Sequence, residues 1–501
     1  MGIKVLLLVV FFAIMVGVGL ICKKKATNVN QFVLGGRNVG AWLTAFAYGT
    51  SYFSAVIFVG YAGQFGWKYG VAATWIGIGN ALLGTLLAWV VLGKRTRIMT
   101  HHLESKTMPD FFEKRFGSKG LKLFASLIVF IFLIPYTASL YNGLSRLFGM
   151  AFNIDYTYCV IIMAVLTGIY VIAGGYMATA INDFIQGIIM LGGIVAVVVS
   201  VLNENGGFTE ALHSLTNISD TANNVDKGAL TSLFGPDPIS LLGVVILTSL
   251  GTWGLPQMVH KFYAIKDERC IKTGAIISTI FAAVIAGGCY FLGGFGRLYH
   301  SVDIAKGYDQ IMPTMLSGLS DLLIGIVIIL VLSASMSTLS ALVLTSSSTL
   351  TLDFIKGTIV KDMKDKTQLF VMRVFISIFI LISVVIAIVQ YKSKVTFIAQ
   401  LMGVSWGALA GSFLAPFFYG LFWKRVNKIA VYACFVFASG FILVNMMFNS
   451  IFPKILQSPI NAGAFVMLAG MILVPVVSLL TGKPDEKVTE DAFSCLNETD
   501  M

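Results

Sequence analysis

Apolar runs long enough to cross a lipid bilayer recur along almost the whole of this 501-residue chain. A membrane helix needs about 20 apolar residues, and about thirteen such runs can be placed here, which leaves little sequence for soluble domains. Only 12% of the residues are charged, against roughly 25% in soluble globular proteins. The sequence therefore predicts an all-α, polytopic membrane protein and excludes a soluble multidomain protein.

The first apolar run is followed by lysines at 23–25 and lacks a small-residue cleavage site. We therefore expect it to remain as a membrane helix rather than to be removed as a signal peptide. The run at 320–354 is long enough to tilt or to project beyond the bilayer. The predicted spans are 3–22, 41–66, 70–93, 122–148, 157–175, 180–202, 239–260, 274–298, 320–354, 368–391, 395–423, 429–448 and 461–481.

Basic residues predict the orientation of these spans. If the lysines at 23–25 are cytoplasmic, the loops on that side hold most of the 35 Lys and Arg residues. Cytoplasmic loops are enriched in Lys and Arg, so we expect the N-terminus outside and the C-terminus in the cytoplasm, in a cell membrane such as a bacterial inner membrane. The same bias explains the net charge of +11, which gives no reason to expect a nucleic-acid partner.

Catalytic residues are not evident. The six cysteines form no Cys/His cluster with metal-ligand spacing, and the five histidines lie mainly in loops or at the ends of the predicted helices. An integral membrane enzyme would need a cluster of catalytic acids, histidines or cysteines. We therefore expect no enzyme activity.

Two of the apolar runs are interrupted by helix-weakening residues, at 48–54 and at 250–257. These runs open two blocks of five, 41–202 and 239–423, and because five is odd the second block is inverted. Matched interrupted helices in inverted halves point to a transporter's binding site, since free backbone groups at mid-membrane are tolerated only inside protein or a cavity. The alternative is that Gly and Pro serve only for kinks and close packing.

A second polar feature lies at mid-membrane in the run 320–354. Ala334, Ser337 and Thr338 stand at i, i+3 and i+4 and share one helix face. A carbonyl with two hydroxyls supplies the oxygen ligands that hard cations prefer, and carbonyls freed near Thr50 and Phe53 would complete such a site. Alternatively, the hydroxyls bond back to their own helix or form a packing face of small residues.

Asp183 is the most isolated charge in an apolar region. An ionisable residue within a membrane segment is a functional candidate by default, and in a proton-coupled carrier Asp183 would be the proton carrier. The alternative is that Asp183 caps the N-terminus of a helix at the cytoplasmic interface.

Together these segments resemble the sodium/solute symporter family, whose members carry proline, sugars, pantothenate, monocarboxylates or sialic acid. The resemblance implies one transmembrane domain with a leucine-transporter-type inverted repeat of five helices. Its expected parts are an extra N-terminal helix at 3–22, repeats at 41–202 and 239–423, two extra helices at 429–481 and a cytoplasmic tail at 482–501. The segments that carry the resemblance are 32–37, 170–175, 183–187, 254–257 and 337–340.

The resemblance also implies the ion sites. The main sodium site would use the carbonyls of Thr50, Phe53 and Ala334 and the hydroxyls of Ser337 and Thr338. Some members bind a second sodium ion near an aspartate and further hydroxyls. Asp183, Ser337 and Ser340 match that second site, whereas Ala341 lacks the hydroxyl found in those members.

The solute is less constrained by the resemblance. Proline carriers have an acid at the position of Tyr52 and aromatic residues around the second interruption, where Thr248 and Thr252 stand here. We expect a small organic solute: an amino acid such as proline, a carboxylate, a sugar or a vitamin. The residues expected to contact it are Ser51, Tyr52, Ser54, Tyr136, Thr252, Trp253 and Gln257.

The sequence thus predicts sodium-coupled secondary active uptake by alternating access. The expected partners are sodium, the solute and the lipid bilayer, with no obligatory protein partner evident. Two alternatives remain at this point: a solute sensor that retains the transporter fold, which the short tail disfavours, and a proton-coupled carrier.

Overall fold

A computed structural model describes residues 2–24, 26–152, 154–221, 225–304, 307–360, 362–393 and 398–496. These residues contain no β-strand, and their only β-type pairings are isolated bridges between Val39 and Ile265 and between Asp220 and Val225. Within them, 10 helices are long and apolar enough to cross a membrane, or up to 11 if a bent pair counts as one span. The prediction of an all-α, multi-pass protein is confirmed, whereas Lys25, residues 395–397 and residues 497–501 of the predicted segments lie outside the described residues.

The helices are numbered in chain order. Four segments of wider, π-helical turns continue them, at Val56–Tyr61, Leu82–Leu87, Trp89–Gly93 and Leu350–Ile359. The helices are α1 (Gly2–Lys23), α2 (Val29–Leu34), α3 (Ala41–Tyr52), α4 (Ala62–Tyr69), α5 (Thr74–Ala81), α6 (Lys94–His102), α7 (Met108–Phe116), α8 (Lys119–Phe152), α9 (Tyr156–Glu204), α10 (Phe208–Thr216), α11 (Pro238–Gly254), α12 (Pro256–Ala264), α13 (Glu268–Gly293), α14 (Ile311–Leu316), α15 (Asp321–Thr349), α16 (Asp365–Ser393), α17 (Ile398–Phe422), α18 (Lys428–Met447), α19 (Pro459–Leu480) and α20 (Glu486–Phe493).

The two predicted spans at 157–175 and 180–202 form one helix, α9, of 49 residues. A sharp turn at Gly175, with φ 56° and ψ −146°, divides it near its middle. Glycine is suited to this position because it has no Cβ to oppose a positive φ, and a Cβ here would lie 2.6 Å from the carbonyl oxygen of Phe32. A membrane helix needs about 20 residues, so each half of α9 is long enough to cross a bilayer.

Both predicted interruptions are present as breaks in the helices. The first follows α3, where Phe53 is extended, and the chain becomes helical again from residue 55. The second lies at Leu255, between α11 and α12, whose axes differ by 44°. Pro256 begins α12 at a position where its missing N–H costs no helical hydrogen bond.

Several short helices were not predicted, because they contain no long apolar run. They include α7, which follows an N-cap at Thr107 whose side chain accepts the Asp110 N–H, and α20 in the predicted tail. These two helices pack together, and the Arg115 guanidinium of α7 lies 4.8 Å from the ring centroid of Phe493 in α20. The segment between the predicted spans 180–202 and 239–260 contains α10.

Helices α15 and α17 form the centre of the molecule, and the most apolar parts of both are largely buried by other helices. Peripheral helices expose large apolar side chains instead, including Leu6, Ile21, Val90 and Leu480. Such an apolar exterior is expected where the surrounding solvent is lipid.

Two glycines allow the backbones of α4 and α13 to touch where the helices cross. A Cβ on Gly66 would lie 2.0 Å from the backbone carbonyl of Gly293, and a Cβ on Gly293 would lie 2.0 Å from the carbonyl oxygen of Ala62. We expect Gly66→Ala to force these backbones apart, at a cost of about 1–3 kcal/mol. A thermal-shift measurement on the purified protein should show a melting temperature several degrees lower.

Gly17 in α1 provides the matched control, since nothing lies within 4 Å of a Cβ there. Gly17→Ala should leave the melting temperature unchanged or raise it, because Ala favours helix more than Gly does. Equal melting temperatures for Gly66→Ala and the unmodified protein would show that the crossing is not close-packed.

Candidate functional site

The first helix break presents backbone oxygen to the centre of the molecule. Phe53, at the end of α3, has φ −93° and ψ 114°, and its N–H donates to the Gly49 carbonyl over 3.2 Å. The Thr50 hydroxyl bonds back to the Phe46 carbonyl over 2.8 Å. It is therefore the Thr50 carbonyl, rather than its side chain, that faces α15.

Four of the five residues predicted to bind sodium are brought together at this break. The Thr50 carbonyl oxygen lies 3.0 Å from Ser337 Oγ and 3.1 Å from Thr338 Oγ1. Both hydroxyl oxygens also lie 3.1 Å from the Ala334 carbonyl oxygen. All four residues are at most 2% exposed. Phe53, the fifth residue, lies at the break itself, and no hydrogen bond joins its carbonyl to α15 in the part of the chain that the structure describes.

The two contacts with Ala334 are hydrogen bonds within α15, as the alternative interpretation predicted, because Ala334 is the i−3 residue for Ser337 and the i−4 residue for Thr338. Each hydroxyl has only one proton to donate, so two protons are shared among four converging oxygens. Helix self-bonding alone does not explain why the Thr50 carbonyl on α3 is also within reach. The C-terminal end of α3 adds partial negative charge, which favours a cation.

Asp183 lies within α9, well beyond the turn at Gly175, and is fully buried. It caps no helix, so the interpretation of Asp183 as an N-cap is wrong. Its carboxylate oxygen Oδ2 is 3.8 Å from the ammonium nitrogen of Lys261 on α12. The Ser340 hydroxyl donates to the Ser337 carbonyl over 2.9 Å, and no hydrogen bond links Ser340 to Asp183 in the described part of the chain.

The two broken helices meet at one point on the π-helical segment Leu82–Leu87. The Gly84 carbonyl accepts from the Tyr48 hydroxyl over 2.9 Å and from the Thr252 hydroxyl over 2.7 Å. Directly beside it, the Tyr52 hydroxyl donates to the Thr248 carbonyl. Tyr52 thus joins α3 to α11 through a hydrogen bond that it donates. An ionised acid at this position could not donate that bond.

The other residues predicted to contact the solute fall into two groups. In the first group, Ser54 Oγ accepts the Val56 N–H over 3.2 Å, and Trp253 Nε1 donates to the Leu83 carbonyl over 2.9 Å. Both polar atoms therefore already have a hydrogen-bond partner within the protein. Buried polar atoms without a hydrogen-bond partner among the described residues are the Ser51 hydroxyl, the Tyr136 hydroxyl and both side-chain polar atoms of Gln257. By hydrogen-bond geometry, the described residues leave the hydrogen-bonding capacity of this second group unused.

Trp406 on α17 lies against both helix breaks and was not among the residues predicted from the sequence. Its ring is stacked on Tyr52 at 5.7 Å and meets Tyr136 edge-on at 5.9 Å between centroids. A Cβ on Gly251 of α11 would lie 2.6 Å from this ring, so Trp406 contacts both broken helices. Its indole N–H is buried and has no partner among the described residues. An isolated aromatic in an apolar run carries no sequence signal that separates this role from core packing.

A cavity of about 500 Å³ opens beside α4 and the start of α11. Its polar lining includes Gln64, Lys68 and Asp237, and Arg297 at its edge is paired with Asp220 at 2.9 Å. The side-chain oxygen of Gln64 is buried without a partner in the described structure. Under the predicted orientation, this cavity lies on the outer side of the membrane.

Residues 32–437 match the model of the sodium:solute symporter family. Among curated relatives, a sodium/proline symporter of Staphylococcus aureus strain JH9 is 31% identical over 97% of this chain and 94% of its own length. The same figures hold for the sodium/proline symporter of strain NCTC 8325 / PS 47.

Two solved structures are similar in fold. A sodium-coupled sialic acid symporter, in a substrate-bound, outward-open state described as having a novel sodium site, matches with a TM-score of 0.74 at 18% identity, over 97% of this chain and 99% of that one. MhsT in complex with L-phenylalanine matches with a TM-score of 0.52 at 13% identity, over 87% of this chain and 97% of that one. At these identities the likeness shows a shared transporter fold of the leucine-transporter type.

Proposed function

This chain belongs to the sodium:solute symporter family, and we propose here which of its residues perform the sodium-coupled solute transport for which the family is named. The chain is a multi-pass membrane transporter that uses sodium, and not an enzyme. The proposal concerns its ion site, its solute pocket and its arrangement in the membrane.

We assign the sodium site to the carbonyls of Thr50, Phe53 and Ala334 and the hydroxyls of Ser337 and Thr338. The observation that carries this proposal is the convergence of four buried neutral oxygens, from two helices, with each hydroxyl 3.0–3.1 Å from both carbonyl oxygens. A bound sodium ion would accept the lone pairs of both hydroxyls. The hydroxyl protons would then no longer have to be shared between the Thr50 and Ala334 carbonyls. Neutral oxygens suit an ion that must also leave again, because they hold it without a permanent countercharge.

We assign the solute pocket to the space between the two breaks. The unpartnered polar atoms of Ser51, Tyr136 and Gln257 and the indole of Trp406 support this assignment. Of the other predicted residues, Tyr52 closes the pocket towards α11, while Ser54, Thr252 and Trp253 shape it through their bonds to the backbone.

The pocket residues just named carry no charge, so a zwitterionic solute would rely on backbone dipoles. Its ammonium group would be stabilised by the carbonyl end of α3, and its carboxylate by the N-terminal end of α12. Proline is the first solute to test, because relatives that span nearly the whole chain are sodium/proline symporters. Because Tyr52 stands at the first break where proline carriers have an acid, other small organic solutes should be tested as competitors in the same assay.

We propose thirteen membrane crossings. Dividing α9 at Gly175, dividing the long segment Val56–His102 at Gly70, and joining the halves of each broken helix would produce this number. The repeats are then 41–202 and 239–423, with the helix at 3–22 before them and the two at 429–481 after them. The excess of Lys and Arg in alternate loops supports a cytoplasmic C-terminus in a cell membrane.

Coupling follows from shared stabilisation of one conformation. Sodium between α3 and α15 fixes the first break, which also forms one wall of the solute pocket, so each ligand raises the affinity for the other. One bundle then rocks against the other and opens the site inward. Each sodium ion that moves down a 100 mV potential supplies about 2.3 kcal/mol before its concentration gradient is counted.

The purified protein in proteoliposomes should accumulate radiolabelled L-proline only when a sodium gradient points inward. Replacing sodium by potassium should reduce uptake at least tenfold, because the site is fitted to one ion. Competition by unlabelled sugars, carboxylates and amino acids identifies the preferred solute. Full-rate uptake without sodium would contradict the proposed ion site, and binding without accumulation would favour a sensor.

A further inference from the structure

The outer ends of α8, α9 and α16 and the segment 310–317 line a cavity of about 430 Å³. It contains none of the residues assigned to the sodium site or to the solute pocket. Arg146, which lines the cavity, lies ten residues beyond Tyr136 on α8, and therefore about 15 Å further towards the proposed outer face. Small-molecule sites usually have volumes of about 300–1,000 Å³, so this cavity is a candidate site separate from the solute pocket.

Arg146 brings an unpaired positive charge to this cavity. Its guanidinium carbon lies 5.7 Å from the centroid of the Tyr391 ring, its Nε is buried without a hydrogen-bond partner, and no salt bridge joins it to another described residue. The helix dipole does not explain a cation here, because Arg146 precedes the last turn of α8, which ends at Phe152. A guanidinium in this position favours an anion, and its planar set of donors matches the two oxygens of a carboxylate.

The residue beside Arg146 adds a second unused polar group. Ser145 also lines the cavity and is 2% exposed, and its hydroxyl has no partner among the described residues. Buried polar side chains are usually hydrogen-bonded, so this hydroxyl is available to a ligand. The aromatic wall opposite is held in place, since Tyr391 stacks on Tyr156 with centroids 3.8 Å apart, and the Tyr156 hydroxyl donates to the Asn142 side chain.

An acid of opposite charge lines the same cavity. Asp155 is exposed at the start of α9, where its Oδ1 accepts the Thr157 N–H over 2.8 Å and caps the helix. A second acid, the buried Asp309, interacts electrostatically with Arg146 but does not line the cavity, and its Oδ2 accepts the Ile398 N–H over 3.5 Å. Asp309 therefore offsets part of the Arg146 charge without filling the cavity. One cation and one anion on the cavity wall suit a ligand that carries both charges.

We propose that this cavity is an external binding site for a zwitterionic amino acid, separate from the pocket of the transported solute. Arg146 and Ser145 bind its carboxylate, and Asp155 binds its ammonium group. The apolar part of the ligand packs against Tyr391. The site goes beyond the proposed function and shares with it only the outward orientation of these helix ends.

The test measures occupancy at Arg146 itself. Phenylglyoxal modifies accessible arginines, and peptide mass spectrometry gives the rate at each arginine of the purified full-length protein. With the ionic strength held constant by choline chloride, millimolar L-proline or acetate should slow the modification of Arg146 by about threefold or more. L-Prolinamide, which lacks the carboxylate, should not slow it. Arg269, exposed at the start of α13, is the control and should react at one rate throughout.

Two variants separate the two ends of the ligand while Arg146 remains as the reporter. Ser145→Ala should raise the concentration for half-maximal protection about tenfold for both L-proline and acetate, because a hydrogen bond to a charged group is lost. Asp155→Asn keeps the helix cap and should raise this concentration about two- to fivefold for L-proline, with no change for acetate. An equal effect on both probes, or none on either, would contradict the assignment of the ammonium group to Asp155.

Protection should persist without sodium and in Trp406→Ala, because neither the sodium site nor Trp406 contributes to this cavity. Protection that requires sodium and disappears in Trp406→Ala would instead report occupancy of the solute pocket and would overturn the proposal. No protection beyond that of chloride, or equal protection by L-prolinamide, would overturn it as well. Absence of L-proline uptake in proteoliposomes would count against the choice of transported solute and would leave this result intact.

Discussion

Thr338→Ala is expected to raise the sodium concentration required for half-maximal solute uptake by about 10- to 100-fold. The substitution removes one of the four converging oxygens, which lies 3.1 Å from the carbonyl oxygens of Thr50 and Ala334. A polar contact to a charged group contributes about 1.5–3 kcal/mol, and each 1.4 kcal/mol is about tenfold in affinity. Initial uptake rates in proteoliposomes, measured across a sodium titration, give the shift directly.

Two variants on α15 separate loss of the ion site from general damage. Thr338→Ser keeps the hydroxyl and should keep a sodium requirement within about threefold of the original. Ser335→Ala removes a buried hydroxyl on the same helix that donates only to Val331, over 2.8 Å, and should leave the sodium titration unchanged. An equal shift for Ser335→Ala and Thr338→Ala would mean that the effect is structural.

Trp406→Ala is expected to raise the solute concentration for half-maximal uptake by about 30-fold or more, because buried tryptophans at binding sites typically contribute 2 kcal/mol or more. The ring forms the wall of the proposed pocket opposite Tyr52 and Tyr136, at centroid distances of 5.7 and 5.9 Å. Sodium binding in the absence of solute should change little, since among the described residues no hydrogen bond links the Trp406 indole to the four oxygens.

The indole contributes in two ways that Trp406→Phe distinguishes. Phenylalanine keeps an aromatic wall but loses the unpartnered N–H, and we expect an intermediate, roughly tenfold loss of apparent solute affinity if that N–H donates to the solute. Trp42→Ala is the matched control, because Trp42 is 59% exposed on the outside of α3. A solute affinity unchanged in Trp406→Ala would place the solute elsewhere.

The sequence predicted best the features that depend on a single short segment within the membrane. Apolar runs of bilayer length predicted the long helices, and the helix-weakening residues around Gly49 and Gly254 predicted both breaks. Helical spacing placed Ser337 and Thr338 on one face with Ala334. The hydrogen bonds from Ser337 and Thr338 to the Thr50 carbonyl show that this face of α15 packs against α3.

The contacts that were missed join residues far apart in the chain. Nothing in the neighbourhood of Asp183 indicates Lys261, because the pair depends on how α12 packs against α9. Trp406 likewise meets Tyr52 and Tyr136 only through the positions of α3, α8 and α11. The turn at Gly175 was placed only as a gap between two spans, since a positive φ leaves no mark in the sequence beyond the glycine itself.

The most direct test of the coupling site measures sodium affinity with and without solute in the purified protein. Sodium and the transported solute should each strengthen the binding of the other by the same factor, and this mutual effect should disappear in the double variant Ser337→Ala/Thr338→Ala while Ser335→Ala retains it. Unchanged sodium affinity in the double variant would contradict the assignment of the ion to the space between α3 and α15.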